Sequence, residues 1–330
     1  MEKLLGMLRA AGDATRLRLL LLLTKTDLTV SEIIQILGQS QPRVSRHLKL
    51  LCEAGLLERF KEGAWVFYRA VDRGNAAELT RAISALAGAD NNPVLLDDKR
   101  RLAQVRAARA EEAAAYFRAN APQWERIRSL HVPENDVEAM IVRLLGRTPL
   151  EYVLDAGTGT GRMLELLAPY VKRGIGIDMS PDMLAIARDR LGQAGASNCQ
   201  VRRGDVYRLP FADGDGRSGF DVVLFHQVLH FLDNPQAALR EAVRVLAPGG
   251  RILIVDFAPH QLEFLRNEHA HRRLGFSDSE VQGWFKAAGL KSVASDSLAP
   301  RSGAETLTVM MWVAETPGVS ARRKKAEAAA

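Results

Sequence analysis

The segment "VLDAGTGTGRML", Val153–Leu164, runs from an apolar strand through three alternating glycines into a helix. Glycines at 157, 159 and 161 let the backbone turn sharply and approach a nucleotide-like ligand without a Cβ in the way. A dinucleotide fingerprint would need a third glycine where Arg162 stands. Asp155, closing the strand, would also repel a pyrophosphate, so the loop Asp155, Gly157, Thr158, Gly159, Gly161 favours a ligand with positive charge. S-adenosylmethionine, with an ammonium and a sulfonium, has that charge.

Two further acids stand at matching places. "GIGIDMSPDMLAIAR" ends a second strand on Asp178, followed by Met179, with Ser180 and Pro181 set to cap and open the next helix. Asp178 is placed to accept both hydroxyls of a ribose. A third strand leads to "GDVYRLPF", where Asp205 can accept from an adenine amine and the Val206 N–H can donate to the ring. Any one of these acids reads equally as a helix cap. Three of them, at the carboxyl ends of successive strands, read as the ligand crevice of an open sheet.

The elements that must position these residues follow from periodicity. From Leu150 strands and helices alternate, with strands expected at 152–155, 174–178, 200–203, 220–225, 251–256, 290–294 and 306–313, which argues for a parallel sheet covered by helices on both faces. Ahead of it, residues 1–58 are helical, and "LLERFKEGAWVFYRAV" switches to aromatic-rich alternation around a Glu62-Gly63 turn, a two-stranded wing. A helix is expected over 75–87, a boundary at "GADNNP", and an Ala-, Arg- and Glu-rich helical stretch broken near Pro122. The expected division is therefore 1–90, a helix-turn-helix domain with a wing; 91–149, a helical linker; 150–316, the sheet domain; and 317–330, a basic disordered tail.

The stretch "LTVSEIIQILGQSQPRVSRHLKLLCEAGLLE" is a helix, a turn at Gly38 and a second helix with Pro42 in its first turn. Val44, Leu48 and Leu51 repeat at i, i+4 and i+7 and face a core. Gln41, Arg43, Ser45, Arg46 and Lys49 are left outward, with Arg59 and Lys61 on the wing, groups able to bind base edges and phosphates of operator DNA. Segments 1–90, 91–149 and 317–330 are net +3, +2 and +3, while 150–316 is −2, so the basic excess lies outside the glycine-loop domain. The apolar run "LRLLLLLT" is too short to span a membrane and reads as a buried helix, so no membrane association and a cytoplasmic location are expected. The 2 cysteines, Cys52 and Cys199, form no CxxC, and no metal site is expected.

Residues 110–313 resemble the class I S-adenosylmethionine-dependent methyltransferases, the branch similar to small-molecule and quinone methylases. The motifs are "DAGTGTG", "GIDMSPDML", "GDVYRLPF" and "FDVVLFHQVLHFLDNPQAALREAVRVLAPGGRILIVDF", in the family's order. The resemblance implies a Rossmann-like seven-stranded sheet, with cofactor contacts from Asp155, Gly157, Gly159, Asp178, Asp205 and Val206. It also makes the helix 112–128, with Tyr116, Phe117 and Trp124, a cofactor lid. Residues Met1–Ala89 resemble the winged-helix domain of the arsenic-repressor (ArsR) family, through "GDATRLRLLLLL", the helix-turn-helix stretch and "ERFKEGAWVFYRAV". Members of that family are homodimers joined by their first and last helices, and many sense metals through a Cys-x-Cys box. Here the corresponding "VSEIIQIL" has no cysteine, which leaves the sensing role open for the fused domain.

Methyl transfer needs an acceptor lone pair in line with the sulfonium methyl, and a base helps only when the acceptor loses a proton. His226 and His230 follow the fourth strand. Both are candidate bases; His226 reads as a catalytic or polar contact to the acceptor or else as packing, and the two, four residues apart, could share a helical face and bind metal, although no third ligand is evident. His269 and His271 read as part of an exposed helix, or else as lining of the acceptor site. "FHQVLH" is not an Asn/Asp-Pro-Pro-aromatic box, which argues against amino methylation of DNA bases, and two scattered cysteines argue against arsenite methylation. Two functions fit: a transcriptional regulator with a working methyltransferase for a small-molecule acceptor, or a repressor whose methyltransferase fold senses S-adenosylmethionine or S-adenosylhomocysteine without turnover.

Overall fold

The computed structural model describes residues 1–24, 26–62, 64–71, 74–88, 92–124, 134–146, 150–214, 219–299 and 307–317. Gly63 of the expected wing turn, Thr306 of the last strand and 318–330 of the expected tail lie outside the described residues. The chain forms two compact units, Met1–Glu112 and Ala113–Ala330.

The first unit begins with α1 (Glu2–Ala11), α2 (Ala14–Leu23), the short strand β1 (Leu28–Thr29), α3 (Val30–Leu37) and α4 (Gln41–Glu53). Thr29 opens α3 with a capping box, its hydroxyl and the Glu32 carboxylate each serving the other's backbone N–H. Gly38, at φ +64°, ends α3 in the left-handed region that a side chain disfavours. Pro42 opens α4, and Val44, Leu48 and Leu51 are fully buried, as their spacing requires. A hairpin of β2 (Leu57–Glu62) and β3 (Trp65–Ala70) forms the wing, with β1 on the far edge of β3, and α5 (Gly74–Gly88) follows.

Helix α6 (Pro93–Asn120) is long and carries side chains of both units. In the first unit, Leu102 and Val105 join the apolar core. The buried Asp98 accepts from Arg18 through two bonds of 2.6 Å. Arg109 pairs with Glu32, its Nε at 2.8 Å. These bidentate contacts satisfy charges that would otherwise be costly to desolvate.

The second unit continues with α7 (Glu134–Leu145), β4 (Leu150–Ala156), α8 (Arg162–Leu167), β5 (Val171–Asp178), α9 (Pro181–Gln193), β6 (Cys199–Arg203), β7 (Phe220–His226), α10 (Pro235–Val245), β8 (Leu246–Phe257), α11 (Phe264–Glu268), α12 (Asp278–Ala287), β9 (Lys291–Leu298) and β10 (Val309–Glu315). Among the described residues its sheet is 7-stranded, with the order β6-β5-β4-β7-β8-β10-β9. Alternate residues of each central strand enter different cores. Leu154, Val223 and Ile254 pack with α10 and α12, while Val153, Leu224 and Val255 pack with α7, α8 and α11. Helices thus cover both faces, as expected of a doubly wound sheet.

The sheet is not wholly parallel. β10 runs antiparallel to both β8 and β9. The link between Leu298 and Val309 is too short for the crossover that a parallel pair needs, so the last strand inserts as a hairpin. Among the described residues no helix is long and apolar enough to cross a membrane.

Candidate active site and recognition helix

At the carboxyl ends of β4 and β5 the glycine loop is held by the neighbouring strand. The N–H groups of Gly157 and Thr158 both donate to the Ile177 carbonyl, at 2.8 and 2.9 Å. Gly157, Gly159 and Gly161 take φ of +83°, +52° and +78°, so each position favours glycine. Space adds a second constraint, since a Cβ on Gly157 would fall 2.4 Å from Val228 Cγ2, and one on Gly161 2.9 Å from Ala187 Cβ. The segment after β7 therefore packs directly against the loop through Val228.

The three acids take distinct roles. Asp155 is buried and accepts the Thr158 hydroxyl at 2.6 Å. Asp178 accepts the Gly159 N–H on one oxygen at 2.9 Å and the Ser180 N–H on the other at 2.8 Å. Its surroundings desolvate the carboxylate and push its pKa up, against the opposing pull of these donors. Met179 N–H is a third donor, and a carboxylate with about four acceptor sites still has capacity for a ligand hydroxyl. Asp205 accepts the Tyr207 N–H at 2.8 Å. Val206 buries its side chain in the core and Met179 is exposed. As expected, Ser180 caps α9 by accepting from Met183 N, with Pro181 at its start.

Aromatic residues of the expected lid cluster together, and Trp124 comes close to this loop. Helix α6 ends at Asn120 and a 3-10 turn, Ala121–Gln123, follows; residues 125–128 of the expected lid lie outside the described residues. Phe117 meets Trp124 and Phe231 edge-on, with centroids at 5.4 and 4.9 Å, and Tyr116 meets both Phe117 and Trp124. Trp124 Nε1 stands 3.8 Å from where a Gly159 Cβ would be. Burial raises the Tyr116 hydroxyl to about 12, and that group lies 2.8 Å from His269 Nδ1.

The histidines depart from expectation. His226 closes strand β7 and His230 sits in a 3-10 turn, Leu229–Phe231, so no helix gives them a common face. Both are buried. His269 caps the short α11 and His271 lies beyond it, buried, where an exposed helix was expected, because the Leu265–Leu274 stretch folds back onto the turn at His230. Arg272 N and Arg273 N both donate to the His230 carbonyl, at 2.9 and 3.0 Å. His230 Nδ1 is 2.7 Å from Asp256 Oδ1, and the His230 and His271 rings stack at 4.1 Å. Sequence reasoning missed Asp256, an acid at the end of β8 that is 0% exposed. It also missed Gln227 and Ala270, non-glycine residues at φ +52° and +55°, which flank these histidines. Strained backbone of this kind collects at functional sites. The available signal was Asp256 itself, a lone acid inside the apolar strand "RILIVDF".

In the first unit, Gln41, Arg43, Ser45, Arg46 and Lys49 are exposed along one side of α4, and Arg59 and Lys61 are exposed on β2. Lys49 lies 3.8 Å from Glu53, a solvated pair one helical turn away. Arg43 and Arg46 line a cleft of about 520 Å³ with Arg16, Pro42, His47 and Leu50. Cys52 and Cys199 are free thiols.

Residues 13–59 match the family model described as bacterial regulatory protein, arsR family, and residues 154–254 match that of a methyltransferase domain. The chain joins an arsR-type helix-turn-helix to a class I methyltransferase domain. The demethylmenaquinone methyltransferase of Tropheryma whipplei (strain Twist) is 39% identical over 116 residues, 35% of this chain and 46% of that protein. The arsenite methyltransferase of Halobacterium salinarum is 36% identical over 111 residues, 33% of this chain and 27% of that protein. The chain thus spans less than half the length of these curated relatives. The N-methyltransferase NodS of Bradyrhizobium japonicum WM9, solved with S-adenosyl-L-homocysteine, superposes with a TM-score of 0.51 at 20% identity, over 62% of this chain and 98% of that one. At that identity the likeness shows the fold.

Gly157→Ala is expected to lower the stability of the methyltransferase unit by on the order of 2 kcal/mol, combining left-handed strain with the clash on Val228. Adding Val228→Ala should recover only the part due to the clash. Thermal unfolding of the single and double variants measures both terms, and an unchanged midpoint for Gly157→Ala would contradict this loop geometry.

Proposed function

We propose that this protein is a transcriptional regulator that binds operator DNA through its first unit and carries an S-adenosylmethionine-dependent methyltransferase for a small-molecule acceptor in its second. The observation that carries the cofactor reading is Asp178, which braces the glycine loop and retains acceptor capacity toward the crevice. In this reading Asp155, Gly157, Thr158, Gly159 and Gly161 face the charged methionine end. Asp178 and Met179 hold the ribose, Asp205 and Val206 the adenine, and His226 is a polar contact to the acceptor. Gln41, Arg43, Ser45, Arg46 and Lys49 contact DNA from α4, and Arg59 and Lys61 from the wing. The division is 1–90 for DNA, 91–149 for linker and lid, 150–316 for catalysis and 317–330 for a basic tail. Leu4, Leu5 and Leu8 on α1 and Leu86 on α5 are large exposed apolar side chains, which supports a homodimer joined by those helices. Cytoplasmic location follows from a DNA target.

Asp178→Ala should weaken S-adenosylmethionine binding at least tenfold, because hydrogen bonds to a carboxylate contribute roughly 1.5–3 kcal/mol each and the loop also loses its brace. Calorimetry giving wild-type affinity would remove the ribose assignment.

Operator affinity should fall steeply with salt, since arginine and lysine side chains displace counterions condensed on the phosphates. Arg46→Ala should cost roughly 1–3 kcal/mol on operator and little on random duplex if it reads a base. Anisotropy titrations in a salt series decide this, and equal losses on both duplexes would make Arg46 a phosphate contact.

A second reading, a repressor that senses S-adenosylmethionine or S-adenosylhomocysteine without turnover, draws support from helix α6. It supplies Asp98 and Arg109 to the first unit, and Tyr116 and Phe117 to the second. S-adenosylmethionine and S-adenosylhomocysteine should then change operator affinity unequally, by about 1–3 kcal/mol, and operator should change ligand affinity by the same factor. Identical operator titrations with and without saturating ligand would exclude the sensor.

A further inference from the structure

We infer that His230, oriented by Asp256, is the base that takes a proton from the methyl acceptor, and that the acceptor is a weakly acidic hydroxyl on an aromatic ring. The inference rests on the methyltransferase reading above and assigns a residue and an acceptor class to that site.

Position comes first. The side chain of Val228 fills the space beside Gly157, so the turn Leu229–Phe231 is anchored against the glycine loop at the end that Asp155 marks as the cationic end of the cofactor. The Phe231 ring, one residue on, packs against Phe117 at 4.9 Å and Trp124 at 6.2 Å. His230 therefore stands beside the aromatic cluster that overlies the loop. A planar, apolar acceptor carrying one polar proton suits such walls.

Electrostatics then selects the role. Asp256 is completely buried, and its carboxylate accepts from Leu229 N at 3.1 Å and Phe257 N at 2.8 Å as well as facing His230 Nδ1. Asp256 Oδ1 faces His230 Nδ1 as an acceptor, so the hydrogen-bond pattern places the proton of His230 on Nδ1 and the lone pair on Nε2, the tautomer a general base requires. The stacked His271 ring is held neutral by its burial, with the charge of Arg266 acting in the same direction, so it puts no positive charge beside His230. Its Nδ1 is buried without a hydrogen-bond partner among the described residues. The left-handed Gln227 and Ala270 brace both sides of this pair.

The step balances. His230 Nε2 takes the hydroxyl proton while the oxygen forms a bond to the methyl carbon. The carbon–sulfur bond breaks, its electron pair stays on sulfur, and the sulfonium becomes a neutral thioether. The positive charge moves from sulfur to the imidazolium facing Asp256, which later releases its proton to water. Asp256 acts as a positioning residue, through His230.

The test uses the full chain with radiolabelled S-adenosylmethionine and two probe acceptors at neutral pH. They are phenol, which must lose a proton, and 4-nitrophenol, about half of which is ionised already. In His230→Gln the ratio of phenol to 4-nitrophenol kcat/KM should fall at least 100-fold, the range of general-base contributions. Asp256→Asn should shift the ratio in the same direction. S-adenosylhomocysteine affinity, measured on each variant, reports a folded site. An unchanged ratio in a folded His230→Gln overturns the proposal, as does wild-type protein that binds S-adenosylhomocysteine yet methylates neither phenol. Wild type that fails to bind S-adenosylhomocysteine overturns the cofactor reading itself.

Discussion

The carboxylate of Asp178 is the fixed point of the methyltransferase unit. A loop that places glycines in the left-handed region has no regular ladder for its N–H groups, and buried N–H groups must find partners. Here they find them on the next strand: Gly157 and Thr158 donate to the Ile177 carbonyl and Gly159 to Asp178, whose other oxygen takes the first N–H of the turn into α9. One carboxylate therefore sets the loop conformation and the start of a helix together. The close approach of Val228 to Gly157, and of Trp124 to Gly159, depends on that conformation.

The sheet supplies the rigidity behind this point. Central strands send alternate residues into two cores, so their register cannot slip without moving apolar groups out of one core and into the other. The carboxyl ends of β4, β5, β7 and β8 then present Asp155, Asp178, His226 and Asp256. The antiparallel β10 adds apolar cover from Met311 and Trp312 on opposite faces, while β9 occupies the edge. Asp256 is affordable inside such a core because three donors meet it, two backbone N–H groups and an imidazole.

The first unit solves a different problem. A small helical core must bury one side of α4 and leave the other bare. Val44, Leu48 and Leu51 anchor the helix inward, and the largely buried pairs Arg18–Asp98 and Arg109–Glu32 fasten the first-unit part of α6 to α2 and α3. With α6 secured elsewhere, the Arg43, Ser45 and Arg46 side of α4 stays open to solvent.

Most of this was legible in the residues because it is local. A period of two marked the strands, i, i+4 and i+7 spacing marked the inward side of α4, and glycines separated by single residues marked a loop that no side chain could enter. Ser180 and Gly38 announced helix ends through capping chemistry that involves only neighbours. What the sequence could not decide were relations across distance. His230 and Asp256 are 26 residues apart and pair only because β7 and β8 lie side by side. His226 and His230 have helical spacing, yet one ends a strand and the other sits in a tight turn. The strain at Gln227 and Ala270 has no residue signature, since neither type prefers φ above zero, and it persists because packing on both sides holds it. The place of β10 between β8 and β9, antiparallel to both, is likewise a relation across distance. Side-chain period and capping act within a few residues and can be read from order alone. Pairing, strain and burial of a lone charge are decided by what the folded chain brings alongside.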